Sequence, residues 1–269
     1  METVVQTTQE QKAAAFSALH EGEAFIIPNP WDAGSAKVLE ALGFKALATT
    51  SSGFAFTLGR QDGGASLDDL AGHVGAVDRA TSLPVSVDLE NGFGPEPAAA
   101  ASAIDRAAGA GAVGGSIEDY DPGGWIYPIE QAVERVAAAC AAARRHGFPF
   151  TVTARAENHI RGNPDLDDTI ARLRAYEGAG ADVLYAPGLR NSDEIRAVCA
   201  AVAKPVNVLA HRGLSMAEIV DAGARRVSVG GALTWVAVNA MAAAATRMRD
   251  DGDFSALETP GQIPAWLKP

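Results

Sequence analysis

The sequence predicts a (β/α)8 barrel of the TIM type, and three features of its apolar pattern lead to this prediction. Short runs rich in β-branched residues alternate along the chain with longer segments whose apolar residues have helical spacing. The short runs are continuously apolar, as expected for parallel strands covered on both faces. Eight such units in a chain of 269 residues match the usual size of this barrel. A doubly wound open sheet is the alternative architecture.

Eight apolar runs are the predicted strands. They cover residues 24–28, 45–50, 83–89, 112–118, 149–155, 181–187, 204–210 and 225–231. The segments between them are predicted helices, and two of these begin at good capping residues, Asp32 and Ser66. Because no linker or low-complexity stretch interrupts the pattern, we expect residues 1–269 to form one barrel domain with a short N-terminal helix and a C-terminal tail.

The composition narrows the class of protein. The net charge of −11 argues against nucleic-acid binding, because a phosphate backbone requires a basic face. The two cysteines, Cys140 and Cys199, lie in alanine-rich helical stretches and cannot form a disulfide framework. The N-terminal segment lacks the basic and apolar regions of a signal peptide. We therefore expect a cytoplasmic protein.

The segment 229–246 is long and nearly uncharged. It consists mostly of alanine, which gains little in lipid, and Asn239 lies in its middle, so we do not expect it to span a membrane. A helix that is apolar on every side is more typical of one buried in a large or oligomeric protein.

Polar side chains stand where the predicted strands end, and chemistry in a barrel of this kind collects at the carboxyl ends of strands. Asp88 and Glu90 follow the third strand, and the strand period of two places both side chains on the same side. The remaining members of this set are Glu118 or Asp119 at the fourth strand, Arg155 at the fifth, with Glu157 two residues on, and Asn207 in the seventh.

These carboxylates repel one another where the dielectric constant is low, so a positive charge has to lie among them. Arg155 supplies one charge, and a divalent cation balances the group more completely. Carboxylate and water oxygens suit Mg²⁺, and the five scattered histidines argue against zinc. The sequence therefore predicts a magnesium site at these strand ends.

The loop after the second strand offers a place for an anion. Ser51, Ser52 and Gly53 present backbone N–H groups and hydroxyls that suit a carboxylate or a phosphonate. Asp62 follows in the same loop and is a candidate catalytic residue.

Six motifs together resemble the isocitrate lyase/phosphoenolpyruvate mutase superfamily. They are "PNPWDAGSAKVLEALGFKALATTSSG", "VDLENGFG", "SIEDY", "TARAE", "KPVNVLA" and "GARRVSVGGAL". The similarity covers about residues 20–245, and the ordered set is specific although each motif alone is weak. The resemblance implies a (β/α)8 barrel whose eighth helix is exchanged between subunits in a dimer of dimers, so that the apolar segment 231–246 packs on a partner.

The resemblance also implies roles for the strand-end residues. Mg²⁺ is expected to be held largely through water by Asp88, Glu90 and Glu118, with Asp62 nearby. Substrates are expected to be small 2-oxo acids, or compounds that yield them, and the shared chemistry passes through a pyruvate-type enolate. The residues expected to bind substrate are Ser51, Ser52 and Gly53 at the carboxylate, Arg155 at the oxyanion, and Asn207 by its position on the seventh strand.

The loop after the fourth strand departs from the family pattern. It reads "EDYDPGGWIYPIE" and contains neither the cysteine motif of the family's carbon–carbon lyases nor the lysine of its mutases and hydrolases. The strand-end residues that the resemblance assigns to enolate stabilisation are present. The loop residues that select the reaction in the family are different here.

Three functions remain open at this stage. The main hypothesis is Mg²⁺-dependent carbon–carbon cleavage of a small 2-hydroxy or 2-oxo acid through an enolate. The first alternative is phosphonate chemistry, in which Arg60, Arg161 or Arg190 would replace the missing lysine. The second alternative is a 2-oxo acid binding protein without turnover. A proton donor or acceptor is also required, and the candidates by position are Tyr127, Tyr120, Glu157 and His159.

Overall fold

The computed structural model describes residues 7–257 and 261–267, and its central feature is a nearly closed barrel of eight parallel strands. Each strand lies inside the apolar run that predicted it, so the barrel prediction is confirmed. Parts of the predicted N-terminal segment and C-terminal tail, residues 1–6, 258–260 and 268–269, lie outside the described residues. The strands are β1 Phe25–Ile27, β2 Leu47–Ala48, β3 Val85–Asp88, β4 Gly114–Glu118, β5 Thr151–Arg155, β6 Val183–Tyr185, β7 Val206–Leu209 and β8 Arg226–Ser228.

The strands follow one another around the barrel in chain order, and β1 pairs with β8. Between β1 and β2 the circle is completed by two hydrogen bonds just beyond the strands. The Ala48 N–H donates to the Pro28 carbonyl at 3.1 Å, and the Asn29 side chain donates to the Thr49 carbonyl at 3.1 Å. All carboxyl ends of the strands consequently meet at one end of the barrel.

Helices cover the outside of the barrel, and the caps predicted at Asp32 and Ser66 are confirmed by side-chain bonds to Ser35 N–H and Asp69 N–H. The loop after β4 also carries a short antiparallel hairpin, Tyr120–Asp121 with Trp125–Ile126. In the described residues the helices are α1 Gln9–Glu21, α2 Ala33–Ala41, α3 Ser51–Thr57, α4 Leu67–Ala80, α5 Pro97–Gly109, α6 Ile129–Ala143, α7 Leu166–Gly178, α8 Ser192–Ala201, α9 Met216–Asp221, α10 Ala232–Asp251 and α11 Ile263–Trp266.

Helix α10 behaves differently from the helices that cover the barrel. Thr234 is its one buried residue among those the structure describes, and Val236 and Met241 are 66% and 62% exposed. The exchange of this helix between subunits therefore stays a prediction. None of the helices in the described ranges has both the length and the apolar character needed to cross a bilayer.

Candidate active site

Asp88 is fixed at the carboxyl end of β3 by contacts from three neighbouring segments. Its N–H donates to Thr49 Oγ1 at 3.0 Å. Its carboxylate accepts from the Ser51 N–H at 3.3 Å and from Arg155 Nη1 at 2.9 Å. The carboxylate thus lies between the start of α3 and the end of β5.

Arg155 stands among three carboxylates. Besides Asp88, its guanidinium contacts Glu118 Oε2 at 3.0 Å and Glu157 Oε1 at 2.8 Å. Although burial opposes the charge, the acids Glu157, Glu118 and Asp88 raise the pKa of Arg155 well above its ordinary value. The arginine therefore remains a cation at the centre of the acidic group.

Arg161 is a second cation at this group. Its Nε lies 3.2 Å from Glu157 Oε2, and its Nη2 lies 3.6 Å from Glu118 Oε1. The same guanidinium lies 3.8 Å above the ring of Tyr120 in the hairpin. The sequence suggests Arg161 only as a candidate for phosphonate chemistry, because nothing in it places a loop arginine over a neighbouring strand end.

The backbone at Glu90 does not continue strand β3, so the prediction that Asp88 and Glu90 share one side of a strand is wrong. β3 ends at Asp88, and Glu90 has a left-handed backbone with φ 49°. Its carboxyl group nonetheless lies near Asp88 and Asp62. Burial, followed by the charges of Asp88 and Asp62, raises the pKa of Glu90 to about 7.

Glu118, and not Asp119, belongs to the acidic group around Arg155. Glu118 is buried, and burial raises its pKa well above the ordinary value although Arg155 opposes this shift. Asp119 faces the other way and accepts from Arg172 Nη1 at 3.0 Å and from the Glu157 N–H at 2.8 Å. The alternation of side chains along β4 separates these two acids.

The first turn of α3 contributes Ser51 and Ser52 to the wall of the cavity. Gly53 is buried behind them, where a Cβ atom would lie 2.6 Å from Thr234 Oγ1 and 2.6 Å from Thr50 Cγ2. The three residues predicted to bind the substrate carboxylate therefore do not share one position. Two serines face the cavity, and the glycine allows α3 to pack closely against the start of α10.

A cavity of about 250 Å³ opens at the carboxyl ends of the strands. On the acidic side it is lined by Asp62, Asp88, Arg155, Glu157 and Arg161, and on the opposite side by Asn207, Ser228 and Arg226. A larger cavity of about 480 Å³ opens near the starts of β5 and β6, with Thr151 and Val183 in its wall. We assign the site to the smaller cavity because its wall contains Asp88, Glu157 and Arg155.

Tyr127 lies outside this cavity and supports the hairpin. It is 1% exposed, and its hydroxyl donates to Asp121 Oδ2 at 2.6 Å and accepts from Asn91 Nδ2 at 3.1 Å. Burial and the bond to Asp121 raise the pKa of Tyr127 to about 12. Its hydroxyl is engaged away from the cavity, so this geometry does not support the predicted role of Tyr127 as a gate acid or base.

His159 is likewise separated from the cavity. It is 5% exposed, its Nδ1 lies 2.9 Å from Thr169 Oγ1, and its Nε2 lies 3.9 Å from Glu194. Burial lowers its pKa. The next residues, Ile160 and Arg161, do line the cavity. The loop that carries His159 thus reaches the cavity, whereas the His159 side chain does not.

Arg226 and Tyr185 are cavity residues that the sequence reasoning missed. The Arg155 guanidinium lies 5.3 Å from the Tyr185 ring, and Arg226 is buried at the start of β8. The sequence does contain one indication of such a residue, because the apolar strand segment "RRVSVGG" includes the charged Arg226. Such a residue needs polar partners inside the barrel.

The chemistry of these side chains suits a hydrated magnesium ion. Carboxylates dominate the group, and the Asp62, Asp88, Glu90, Glu118 and Glu157 carboxyls outnumber the guanidinium groups of Arg155 and Arg161. Within residues 7–257 and 261–267, there is no group of three or more His, Cys, Asp or Glu residues placed so that they alone could hold a metal ion. Mg²⁺ commonly keeps several waters and needs only one or two protein carboxylates, so this donor set fits it.

The fold and the site together define a barrel enzyme whose acids and arginine meet at the strand ends. A family model described as phosphoenolpyruvate phosphomutase matches residues 16–249. The chain belongs to this family, within the isocitrate lyase/phosphoenolpyruvate mutase superfamily of magnesium-dependent lyases and mutases.

Three similar proteins illustrate the range of this family. The crystal structure of a candidate lyase/mutase from Burkholderia cenocepacia J2315 is 53% identical, covers 96% of both chains and has a TM-score of 0.93. An uncharacterized protein of Mycobacterium tuberculosis is 32% identical over 87% of this chain and 88% of its own length. An oxaloacetate decarboxylase of a Bradyrhizobium species is 32% identical over 77% of this chain and 74% of its own length.

Proposed function

We propose that the protein is a Mg²⁺-dependent lyase that cleaves a carbon–carbon bond of a small 2-hydroxy or 2-oxo carboxylic acid through a pyruvate-type enolate. The observation that carries this proposal is that Arg155, in the wall of the strand-end cavity, lies among Asp88, Glu118 and Glu157. This arrangement offers a fixed positive charge beside a set of hard oxygen donors. The oxaloacetate decarboxylase relative supports a 2-oxo acid as the substrate class.

Asp88, Glu90 and Glu118 are the residues that would hold Mg²⁺, with Asp62 nearby. When bound, the ion would polarise the carbonyl group and stabilise negative charge on its oxygen. Asp88 is the best placed of these acids because it lies in the cavity wall and has contacts that fix its orientation. Mg²⁺ would also relieve the repulsion that raises the pKa of Glu90.

The substrate is held at two places in this proposal. Ser51 and Ser52, in the first turn of α3, bind its carboxylate through N–H and hydroxyl groups. Asn207 contacts it from the opposite side of the cavity. Gly53 assists indirectly, since its missing side chain lets α3 occupy this position.

Arg155 stabilises the charge that develops during cleavage. When the bond between C3 and the departing group breaks, its electron pair forms the C2–C3 double bond of the enolate and the carbonyl π electrons move to the oxygen. The departing group leaves as CO2 or, once its hydroxyl has lost a proton, as a carbonyl compound. The contacts with Asp88, Glu118 and Glu157 fix the guanidinium in advance, so little reorganisation is required as that charge appears. We assign the subsequent proton transfer to neither Tyr127 nor His159, because both are engaged outside the cavity.

Phosphonate chemistry at phosphonopyruvate is the second candidate, and the position of Arg161 favours it. This guanidinium lies in the cavity wall and would hold a phosphoryl group in place of the missing lysine by exchanging its contacts with Glu157 and Glu118. A ³¹P NMR assay with phosphonopyruvate separates the two reactions. New phosphorus signals would favour this candidate, and an unchanged spectrum would favour the carbon–carbon lyase.

Calorimetry with oxalate, which mimics an enolate, tests the site itself. We expect oxalate to bind only when Mg²⁺ is present and Asp88→Ala to abolish that binding. Oxalate binding that is independent of both the ion and Asp88 would refute the enolate proposal. Tight binding of 2-oxo acids without turnover across a substrate panel would instead indicate a binding protein.

We also propose that the protein is a homo-oligomer in which a second copy covers α10. The proposal is supported by the exposure of Val236 and Met241 on this helix. Light scattering coupled to size-exclusion chromatography tests it. Val236→Asp combined with Met241→Asp is expected to shift the mass toward that of a monomer, and a wild-type monomer would contradict the proposal.

A further inference from the structure

Arg226 is a buried cation inside the barrel, below the acidic group. It is 5% exposed and lies in the floor of the strand-end cavity. Its Nε donates to Asn207 Oδ1 at 2.9 Å, and its Nη2 donates to Thr153 Oγ1 at 2.9 Å. Its Nη1 lies 3.3 Å from His20 Nε2. These contacts use three of the five N–H groups of the guanidinium.

All three of these partners are neutral side chains. In the described part of the chain, no carboxylate forms an ion pair with Arg226, whereas Arg155 has three. Burial lowers the pKa of Arg226 to about 10, so the side chain keeps its charge at neutral pH. A buried charge without a counter-ion is unfavourable unless a ligand supplies one.

His20 fixes Arg226 from below as a neutral acceptor. Burial, followed by the charge of Arg226, lowers the pKa of His20 to about 3. Its Nδ1 lies 2.8 Å from the Phe16 carbonyl, which requires the proton on Nδ1 and leaves the Nε2 lone pair for Arg226. The imidazole is also held edge-on between Phe16 and Phe25. The guanidinium is therefore held in one position by neutral partners.

Arg226 and Arg155 lie at different depths of the same cavity. Thr153, which contacts Arg226, precedes Arg155 by two residues on β5, and two residues of a strand span about 7 Å. A substrate whose carbonyl oxygen meets Arg155 can therefore direct its far end toward Arg226. There it would meet a cation with two N–H groups that have no partner among the described residues.

We propose that Arg226 determines specificity by binding a second carboxylate at the far end of the substrate, so that the enzyme prefers dicarboxylates to monocarboxylates of the same chain length. This inference rests on the proposed function, because the first carboxylate is placed at Ser51 and Ser52. Arg226 is a substrate-binding residue in this proposal, and His20 is a positioning residue that acts through it.

Calorimetry in the presence of Mg²⁺ tests the proposal with two ligands of one carbon skeleton. Malate carries the far carboxylate, and 2-hydroxybutanoate lacks it. We expect the wild-type protein to bind malate about 10- to 100-fold more tightly than 2-hydroxybutanoate. This ratio is the one expected when a ligand gains hydrogen bonds to a charged group. Arg226→Gln is expected to remove this preference while Mg²⁺-dependent oxalate binding persists, since oxalate has no far carboxylate that could reach Arg226. Arg226→Lys is expected to retain part of the preference.

The outcomes separate this inference from the proposed function. Mg²⁺-dependent oxalate binding with no preference for malate in the wild type, or with the preference intact in Arg226→Gln, would overturn the role of Arg226 alone. Loss of oxalate binding to the wild type would instead overturn the proposed function. If Arg226→Gln does not fold, a malate-soaked wild-type crystal decides. A far carboxylate within hydrogen-bond distance of Arg226 supports the inference, and one directed elsewhere contradicts it.

Discussion

Arg155 and Asp88 meet across the ends of β5 and β3, where Nη1 of the arginine lies 2.9 Å from Oδ1 of the aspartate. β4 lies between these two strands and contributes Glu118 to the same guanidinium. The pair therefore joins three neighbouring strands at their carboxyl ends. It places a fixed cation next to the acid that we expect to support Mg²⁺.

Replacing Arg155 with lysine tests its role as a positioned oxyanion donor. Lysine keeps the positive charge among the acids but cannot match the planar fork of the guanidinium. We expect Arg155→Lys to weaken Mg²⁺-dependent oxalate binding by roughly 10- to 100-fold while the protein stays folded. The control is Arg190→Lys, because Arg190 is exposed on a loop and is not among the residues that line the cavity. Equal affinities of wild type and Arg155→Lys would contradict this role.

The raised pKa of Glu90 predicts a pH dependence of stability in the metal-free protein. The folded protein binds this proton up to about pH 7, whereas a glutamate in the unfolded chain releases it near 4.5. The free energy of unfolding should therefore fall as pH rises through this interval and level off above it, by on the order of 2 kcal/mol from this group.

Glu90→Gln isolates this contribution, because glutamine cannot titrate. Urea unfolding of both proteins in EDTA, between pH 5 and 8, gives the difference in free energy of unfolding. We expect wild type to lose stability relative to Glu90→Gln as the pH rises. A difference that does not change with pH would show that Glu90 is not buried among like charges.

Gly53→Ala tests the close packing of α3 against α10. The added Cβ would lie 2.6 Å from Thr234 Oγ1 and from Thr50 Cγ2, so the two helices would have to separate. We expect a loss of about 1 to 3 kcal/mol in the free energy of unfolding, together with weaker oxalate binding because Ser51 and Ser52 shift.

Gly72→Ala is the matched control, since Gly72 lies in α4 and has nothing within 4 Å of an added Cβ. It should be neutral or stabilise by about 0.5 to 1 kcal/mol through helix propensity. Gly53→Ala with wild-type stability would refute the packing role of this glycine.

Tyr127→Phe tests whether this tyrosine supports the hairpin instead of taking part in chemistry. The variant loses the bonds to Asp121 and Asn91, so we expect a loss of about 1 kcal/mol in stability and no change in oxalate affinity. Thermal unfolding and calorimetry provide the two readouts. Unchanged stability accompanied by a large loss of turnover would indicate that Tyr127 takes part in catalysis.

The barrel was predictable because apolar strands and amphipathic helices repeat with little interruption. The strand ends then placed Asp88, Glu118 and Arg155 at one end of the barrel, and the structure brings them into contact. Such contacts follow from topology alone, since all carboxyl ends of a parallel barrel face the same way.

Loop residues were predicted less well, because periodicity says nothing about loop conformation. Glu90 is left-handed, Tyr127 turns under the hairpin, and His159 packs against α7. Arg226 was not predicted as a site residue, and the reason is different from that for the loop residues. It lies inside a strand, where charge is rare, and only the structure shows that neutral partners and a cavity surround it.

A crystal soaked with Mg²⁺ and oxalate is the measurement that tests the central claim most directly. We predict that the ion lies beside Asp88, largely bound through water, and that oxalate lies between Ser51 and Arg155. An ion or an oxalate found elsewhere, with Arg155 still paired only to its three acids, would contradict the proposed function.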